Sequence, residues 1–279
     1  MPTATIDGQE IYYRDSAEET SPDESARSDP FDAPAILFCH GFLMDHTMWE
    51  PQVEALAPEY RCVRWDERGF GRTPAKEPFT YWDLADDAVG LLDHLNIERA
   101  VLVGMSQGGY LALRAALAHP ERVSGLVLED TRADRDDPET MEVLRDMLEG
   151  WIARGPSDEL MDQLAGMILG DAPGLRERWI RTWKEKLPPE LELPARCLLE
   201  RDDVSDRLGE IECPALVLHG EDDVAIPVDV GEELHRRLPG SGGIIRVPGA
   251  MHAPNLTHPE VVNPALRRFV AGVSEGPGR

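Results

Sequence analysis

Gly104-Met105-Ser106-Gln107-Gly108 constrains the fold of this chain more than any other stretch. Ala100-Val101-Leu102-Val103 precedes it, an apolar run with no polar break, and Gly109 to Ala118 follows it, rich in helix formers. Such a run reads as a buried strand, so the five residues make a strand-to-helix turn. A turn this sharp leaves no room for side chains two positions either side of the serine, and glycine stands at both. It pushes the serine hydroxyl out beyond the sheet, where the N–H groups of the new helix point. That is the context a nucleophile elbow requires. An ordinary turn with a surface serine satisfies the same five residues, so the rest of the chain must decide.

The surrounding pattern is an alternation of strands and helices. Residues 3–14 read as an antiparallel hairpin at a sheet edge. Residues 16–33 are Ser, Glu, Asp and Pro with almost nothing apolar, which predicts a solvated loop. Strands are expected at 35–39, 60–65, 100–103, 123–128, 214–218 and 243–247, and helices near 48–56, 81–96, 109–118, 228–238 and 259–271, with a fraying tail after Val273. From Pro138 to about Leu208 the strands stop and helical periodicity takes over, with Trp151, Trp179 and Trp183 on apolar faces. Alternating strands and helices pair in parallel. The reading is an α/β core at 1–132 and 209–279, interrupted by a helical cap at 133–208. The three tryptophans either pack within that cap or line a pocket beneath it.

Charge narrows the partners. Asp and Glu total 53 against 28 Lys and Arg, a formal net charge of −25. Such a chain is repelled by nucleic acid and by anionic membrane surfaces, which leaves a small molecule as the expected partner. Its apolar strands argue against disorder. Adaptation to high salt explains the excess of carboxylates, because salt screens their self-repulsion; an acidic surface in ordinary salt is the alternative. No apolar run is long enough to cross a bilayer, and Met1 to Thr5 show no basic flank or apolar core of a signal peptide. Cys39, Cys62, Cys197 and Cys213 form no Cys-x-x-Cys pair and read as reduced core cysteines, so a cytoplasmic location without a metal site is expected.

A serine becomes nucleophilic only when a base takes its proton and a third group orients that base. In open α/β sheets reactive groups sit past the carboxyl ends of strands. Two later loops qualify, His219-Gly220-Glu221-Asp222-Asp223 to Pro227, and Pro248-Gly249-Ala250-Met251-His252. With His40-Gly41-Phe42, Asp66-Glu67-Arg68-Gly69-Phe70-Gly71 and the elbow, these motifs resemble the α/β-hydrolase family over nearly the whole chain. The elbow and the Asp66–Thr73 turn are most similar to 3-oxoadipate enol-lactonases and small esterases, and also to cofactor-free haloperoxidases.

The resemblance implies a serine esterase or lactonase that works through an acyl-enzyme without a cofactor. A haloperoxidase or perhydrolase, or a C–C bond hydrolase, would use the same triad. Ser106 would be the nucleophile and His252 the base. The family's Gly-x-x-Asp pattern puts the acid at Asp223, with Asp222 and Asp130 as competitors. The backbone N–H groups of Phe42 and Gln107 would hold the oxyanion. A serine at the elbow argues against dehalogenases and epoxide hydrolases of this fold, which use a carboxylate there. A purely ligand-binding member would not need a complete triad. His40 is expected to shape the oxyanion loop, Arg68 to tie the turn near that loop through hydrogen bonds, with direct substrate binding as its alternative, and Asp66 to be structural. His46 either faces the pocket or packs away from it. His94, His119, His219, His235 and His258 are expected to be structural or solvated.

Overall fold

Every position of the strand Ala100–Met105 is buried, because it runs through the middle of the sheet. In the computed structural model, which describes residues 2–19, 31, 33–185 and 188–275, eight strands form one sheet. They are β1 (Thr3–Ile6), β2 (Gln9–Asp15), β3 (Ala35–Cys39), β4 (Arg61–Trp65), β5 (Ala100–Met105), β6 (Val123–Glu129), β7 (Ala215–Gly220) and β8 (Ser241–Val247). Their order is β1-β2-β4-β3-β5-β6-β7-β8. β1 and β2 form the expected antiparallel hairpin, β2 pairs antiparallel with β4, and all later pairings are parallel. β5 lies between β3 and β6, with Val101 opposite Ile36 on one side and Gly125 on the other. Central parallel strands are covered on both faces, hence their unbroken apolar runs. Each fully buried Val or Leu side chain contributes about 1.5–3 kcal/mol of transfer free energy.

The helices are α1 (Ser16–Glu19), α2 (Glu50–Leu56), α3 (Tyr81–His94), α4 (Gln107–Ala118), α5 (Pro138–Arg154), α6 (Asp158–Leu169), α7 (Pro173–Glu185), α8 (Pro188–Glu200), α9 (Val228–Arg237), α10 (Pro254–Thr257) and α11 (Pro259–Glu275). α3 opens on a capping box, with Thr80 accepting from the Asp83 N–H and Asp83 accepting from the Thr80 N–H. Its apolar stripe, Leu84, Ala88, Leu91 and Leu92, is buried as the spacing implies.

Four differences from the sequence reading have local causes. The stretch expected to be loop begins with the short helix α1. The Asp15 carboxylate accepts the Ala17 N–H, and the Ser16 hydroxyl accepts the Cys62 N–H. The rest of that stretch, apart from residues 31 and 33, lies outside the described residues, as does the tail beyond Glu275. The helix expected from Met48 starts as a 3₁₀ turn at His46–Trp49, capped by Asp45. The short helix α10 was not anticipated, and α11 continues past Val273 to Glu275.

Between β6 and β7 stand α5 to α8 and a 3₁₀ turn at Ser205–Glu210, with no strand among the described residues there. Trp151, Trp179 and Trp183 are fully buried, and the Trp183 indole N–H donates to the Leu43 carbonyl at 2.9 Å. The Ala253 N–H donates to the Ile168 carbonyl at 3.0 Å, tying α6 to the loop after β8. Among the described residues no helix is long and apolar enough to cross a membrane.

Candidate active site

Ser106 closes the turn from β5 into α4 with φ 51° and ψ −115°. A non-glycine residue rarely sits there, and such outliers persist where the surroundings fix them. Both flanking glycines are required by close backbone. A Cβ on Gly104 would lie 2.3 Å from the Gly108 carbonyl oxygen, and one on Gly108 2.2 Å from that of Cys39. The Thr131 hydroxyl donates to the Ser106 carbonyl at 2.6 Å and clamps the turn from β6.

The loops past β7 and β8 meet this turn. His252 Nδ1 lies 2.7 Å from Asp223 Oδ2. The other oxygen of Asp223 accepts the N–H groups of Ala225 at 2.8 Å and Ile226 at 3.1 Å. Three donors therefore fix a carboxylate that is 5 % exposed. Burial pushes the Asp223 carboxyl up, but the His252 ring and these donors outweigh it and hold it below the usual carboxylate range. Ser106 and His252 line one cavity of about 310 Å³. A larger hollow of about 550 Å³ opens at the amino ends of the strands, beside Ala35 and Asn96, and among the described residues brings no histidine to its wall.

The competing acids stand elsewhere. Asp222 is exposed. Asp130 is buried next to Asp223, and its Oδ1 accepts the Gly220 N–H at 2.9 Å while Oδ2 has no fixed donor. Burial and the neighbouring Asp223 charge push the Asp130 carboxyl well above the ordinary range. His252 Nδ1 is bonded to Asp223, and no contact to Asp130 or Asp222 competes with it among the described residues.

The Phe42 and Gln107 N–H groups find no acceptor among the described residues, although both residues are mostly or wholly buried. Two unsatisfied donors beside a serine are the arrangement an oxyanion needs. His40 shapes their loop as expected: Nδ1 lies 2.9 Å from the Gly41 carbonyl, and Nε2 accepts the Glu67 N–H at 2.9 Å. The Gln107 side chain donates to Glu67 at 2.6 Å, so one buried carboxyl ties the elbow to the Asp66–Thr73 turn.

The remaining candidate residues fall outside the Ser106 cavity. Arg68 ties its turn through hydrogen bonds as expected, to Asp87 on α3 at 2.5 and 2.8 Å, and does not line the Ser106 cavity. His46 does not face the Ser106 cavity; its ring and N–H both bond Asp66, which also accepts the Arg72 N–H. None of Trp151, Trp179 and Trp183 lines that cavity. Two groups, Asp45–His46–Asp66 and Asp130–His219–Asp223, bring ligand-type atoms within 4.8 Å of one another, although their spacing along the chain gave no metal signal. Protein donors and acceptors already engage most of these atoms: Asp45 caps its turn, and His219 Nε2 bonds the Ile226 carbonyl at 2.7 Å.

Glu129, at the end of β6, was missed by sequence reasoning. Its Oε1 accepts the Asn255 N–H at 2.7 Å and so holds the start of α10, three residues after His252. Its other oxygen is buried without a donor. Burial raises its pKa from the usual 4.5 to about 8. Unfolded, the group ionises near the ordinary value; folded, only near pH 8. Its contribution to stability is thus present below the ordinary value and lost as pH rises through about 8. Glu129→Gln keeps the acceptor and cannot ionise. The variant should lose less stability than the parent between pH 5 and pH 8.5, measured by urea unfolding; equal losses would show that Glu129 does not titrate in that range.

Comparison with known proteins agrees with this fold. Residues 34–259 match the family model described as alpha/beta hydrolase fold. A putative carbamate hydrolase, RutD, of Caulobacter sp. strain K31 is 31% identical over 98% of this chain and 99% of its own length. 3-Oxoadipate enol-lactonase 1 of Acinetobacter baylyi is 28% identical over 88% of this chain and 91% of its own length. The structure of a thermophilic esterase from Thermogutta terrifontis superposes with a TM-score of 0.82 at 31% identity, covering 95% of this chain and 94% of that one. Because the match runs from β3 through the elbow to the loop that carries His252, the chain belongs to the alpha/beta hydrolase fold family.

Proposed function

We propose that the protein is a serine hydrolase that cleaves a small carboxylic ester or lactone through an acyl-enzyme. The observation that carries the reading is the 2.7 Å pair of His252 Nδ1 and Asp223 Oδ2 on the wall of the cavity that also holds Ser106. Asp223 fixes the tautomer that leaves His252 Nε2 free as a base. His252 takes the Ser106 proton as Oγ attacks the carbonyl carbon, and the Phe42 and Gln107 N–H groups receive the oxyanion. His252 then returns the proton to the leaving oxygen, and the acyl group remains on Ser106. Water, deprotonated by the same ring, releases the acid. The names of the esterase and enol-lactonase relatives support this bond class. In this reading residues 133–208 are a cap over a core of 1–132 and 209–279. Free cysteines in the described residues fit a cytoplasmic setting.

The test is turnover of p-nitrophenyl butyrate above a Ser106→Ala control, together with covalent labelling by a fluorophosphonate mapped to Ser106 by peptide mass. Absence of both turnover and label would reject the reading.

We further propose that the acidic surface is adapted to concentrated salt. On α5, Glu139, Glu142, Asp146 and Glu149 are exposed at spacings of three, four and three residues, so they share one face. Like charges so placed destabilise a helix by about 0.2–0.5 kcal/mol per pair, and salt screens them. The melting temperature should climb with KCl well beyond about 1 M, where Debye screening is nearly complete. A melting temperature that is flat from dilute buffer to molar KCl would reject this adaptation.

A further inference from the structure

We propose that the cavity at Ser106 selects an uncharged aliphatic acyl group of about four to eight carbons and rejects acyl groups that carry a carboxylate. The inference rests on the serine hydrolase reading and adds the substrate class.

Three observations carry it. First, the wall is apolar and adaptable. Met44, Met105, Met147 and Met167 stand around Ser106 with Leu144 and Ile168. Methionine is flexible and polarizable, and fits varied alkyl shapes. The volume is about 310 Å³. At about 30 Å³ per water-sized group, that is room for about ten non-hydrogen atoms.

Second, the mouth is apolar. Three large hydrophobic side chains are exposed among the described residues, and two of them, Val143 at 67 % and Val224 at 66 %, stand on this cavity's rim. An exposed apolar rim on a chain of net charge −25 marks the surface an apolar ligand meets first.

Third, among the described residues no cationic side chain stands on the wall to receive an anion beyond the reacting groups. Among the described residues, Asp136 brings the only carboxylate and His252 the only imidazole to the wall, and the lining contains no arginine or lysine. The nearest arginines are already engaged behind Asp136. Arg201 Nη2 donates to Asp136 Oδ2 at 2.6 Å, and its guanidinium lies 4.9 Å from the centre of the Tyr110 ring. Arg132 bonds the other oxygen of Asp136 and both oxygens of Asp134. A substrate carboxylate would lose its water against thioethers and alkyl groups and meet no cation, only the neutral hydroxyls of Tyr110 and Thr140 and the like charge of Asp136, which is strongly unfavourable.

The experiment compares p-nitrophenyl butyrate with mono-p-nitrophenyl succinate. Both have the same leaving group and acyl length, and differ by methyl against carboxylate at the far end. Rates are taken in dilute buffer and in 1 M KCl, where the Debye length is about 3 Å and the net charge no longer repels at a distance. The butyrate should be favoured in kcat/KM by about 100-fold in both, because the penalty is local desolvation. Values within about threefold of each other in 1 M KCl would overturn the proposal, assigning any low-salt preference to net charge alone. Val143→Arg, which sets a cation on the rim, should narrow the ratio by about tenfold; an unchanged ratio would also overturn it. Failure of both esters to exceed the Ser106→Ala control would remove the hydrolase reading and this inference together, and is distinct from equal turnover of the two.

Discussion

Replacing Ser106 by alanine is expected to lower kcat by about 10⁴ to 10⁶ and to leave the fold intact. The hydroxyl takes part in none of the hydrogen bonds that build the turn. Those run through its backbone: Ser106 N–H to the Glu129 carbonyl at 2.9 Å, and its own carbonyl to Thr131 and Gly109. His252→Ala should lose as much, because without the base the hydroxyl is not deprotonated. The double variant should be little worse than either single one, since members of a triad act as a unit. Steady-state kinetics on p-nitrophenyl butyrate with purified protein checks this, with circular dichroism to confirm folding. If the two losses multiply, Ser106 and His252 do not share one proton transfer. Residual activity of about 10³ over water should survive in each variant, from the oxyanion donors and binding.

What could be read from the sequence, and what could not, divides along contact distance. The elbow was legible because its constraint is local. Gly104 and Gly108 meet backbone within their own turn and the adjacent strand, so residue types at fixed spacing report the geometry. The strands were legible for a similar reason: burial on both faces writes an unbroken apolar run. The partners of polar side chains were not legible. His46 and Asp66 are 20 residues apart, Asn255 and Glu129 are 126 apart, and the pairing in each case depends on which loops the sheet order brings together. Arg68 shows the same limit: the motif marks it as a residue that ties its turn by hydrogen bonds, but not its partner, the buried Asp87 carboxylate on α3, 19 residues away. The tryptophans of the insertion were ambiguous because helical spacing gives a face and no neighbour. Helix-to-helix packing between α5 and α8 and between α6 and α7 placed them in the interior, away from Ser106. The short helix α10 escaped because four residues give no periodicity, and its start is held by Glu129 from another strand.

Asp223→Asn is expected to cost about 10⁴ in kcat while the protein folds normally, whereas Asp130→Asn and Asp222→Asn keep most activity. The three changes are chemically identical, so the environment alone must separate them. At position 223 the carboxylate faces donors on both oxygens. Ala225 and Ile226 donate to Oδ1, and His252 Nδ1 bonds Oδ2. An amide keeps one acceptor for the backbone donors and then turns its NH₂ toward His252. That NH₂ can only donate, so the ring must present an unprotonated Nδ1 and carry its proton on Nε2, facing Ser106. The base is then held in the wrong tautomer, and the imidazolium that forms during attack loses its counter-charge. At position 130 the same exchange is mild. Burial and the adjacent Asp223 charge push that carboxyl well above the ordinary range, which favours its neutral form, and a neutral amide resembles that form. Its carbonyl still accepts the Gly220 N–H, and its NH₂ has the neighbouring Asp223 as an acceptor within the same cluster. Asp222 is exposed and its structural bond is through the backbone, N–H to the Ala250 carbonyl at 3.0 Å, so its side chain can change freely. kcat for the three variants, measured beside their urea unfolding midpoints, decides the assignment. Should Asp130→Asn be the crippled enzyme and Asp223→Asn remain active, the acid that orients His252 would come from the end of β6, and the carboxylate past β7 would be the neutral neighbour.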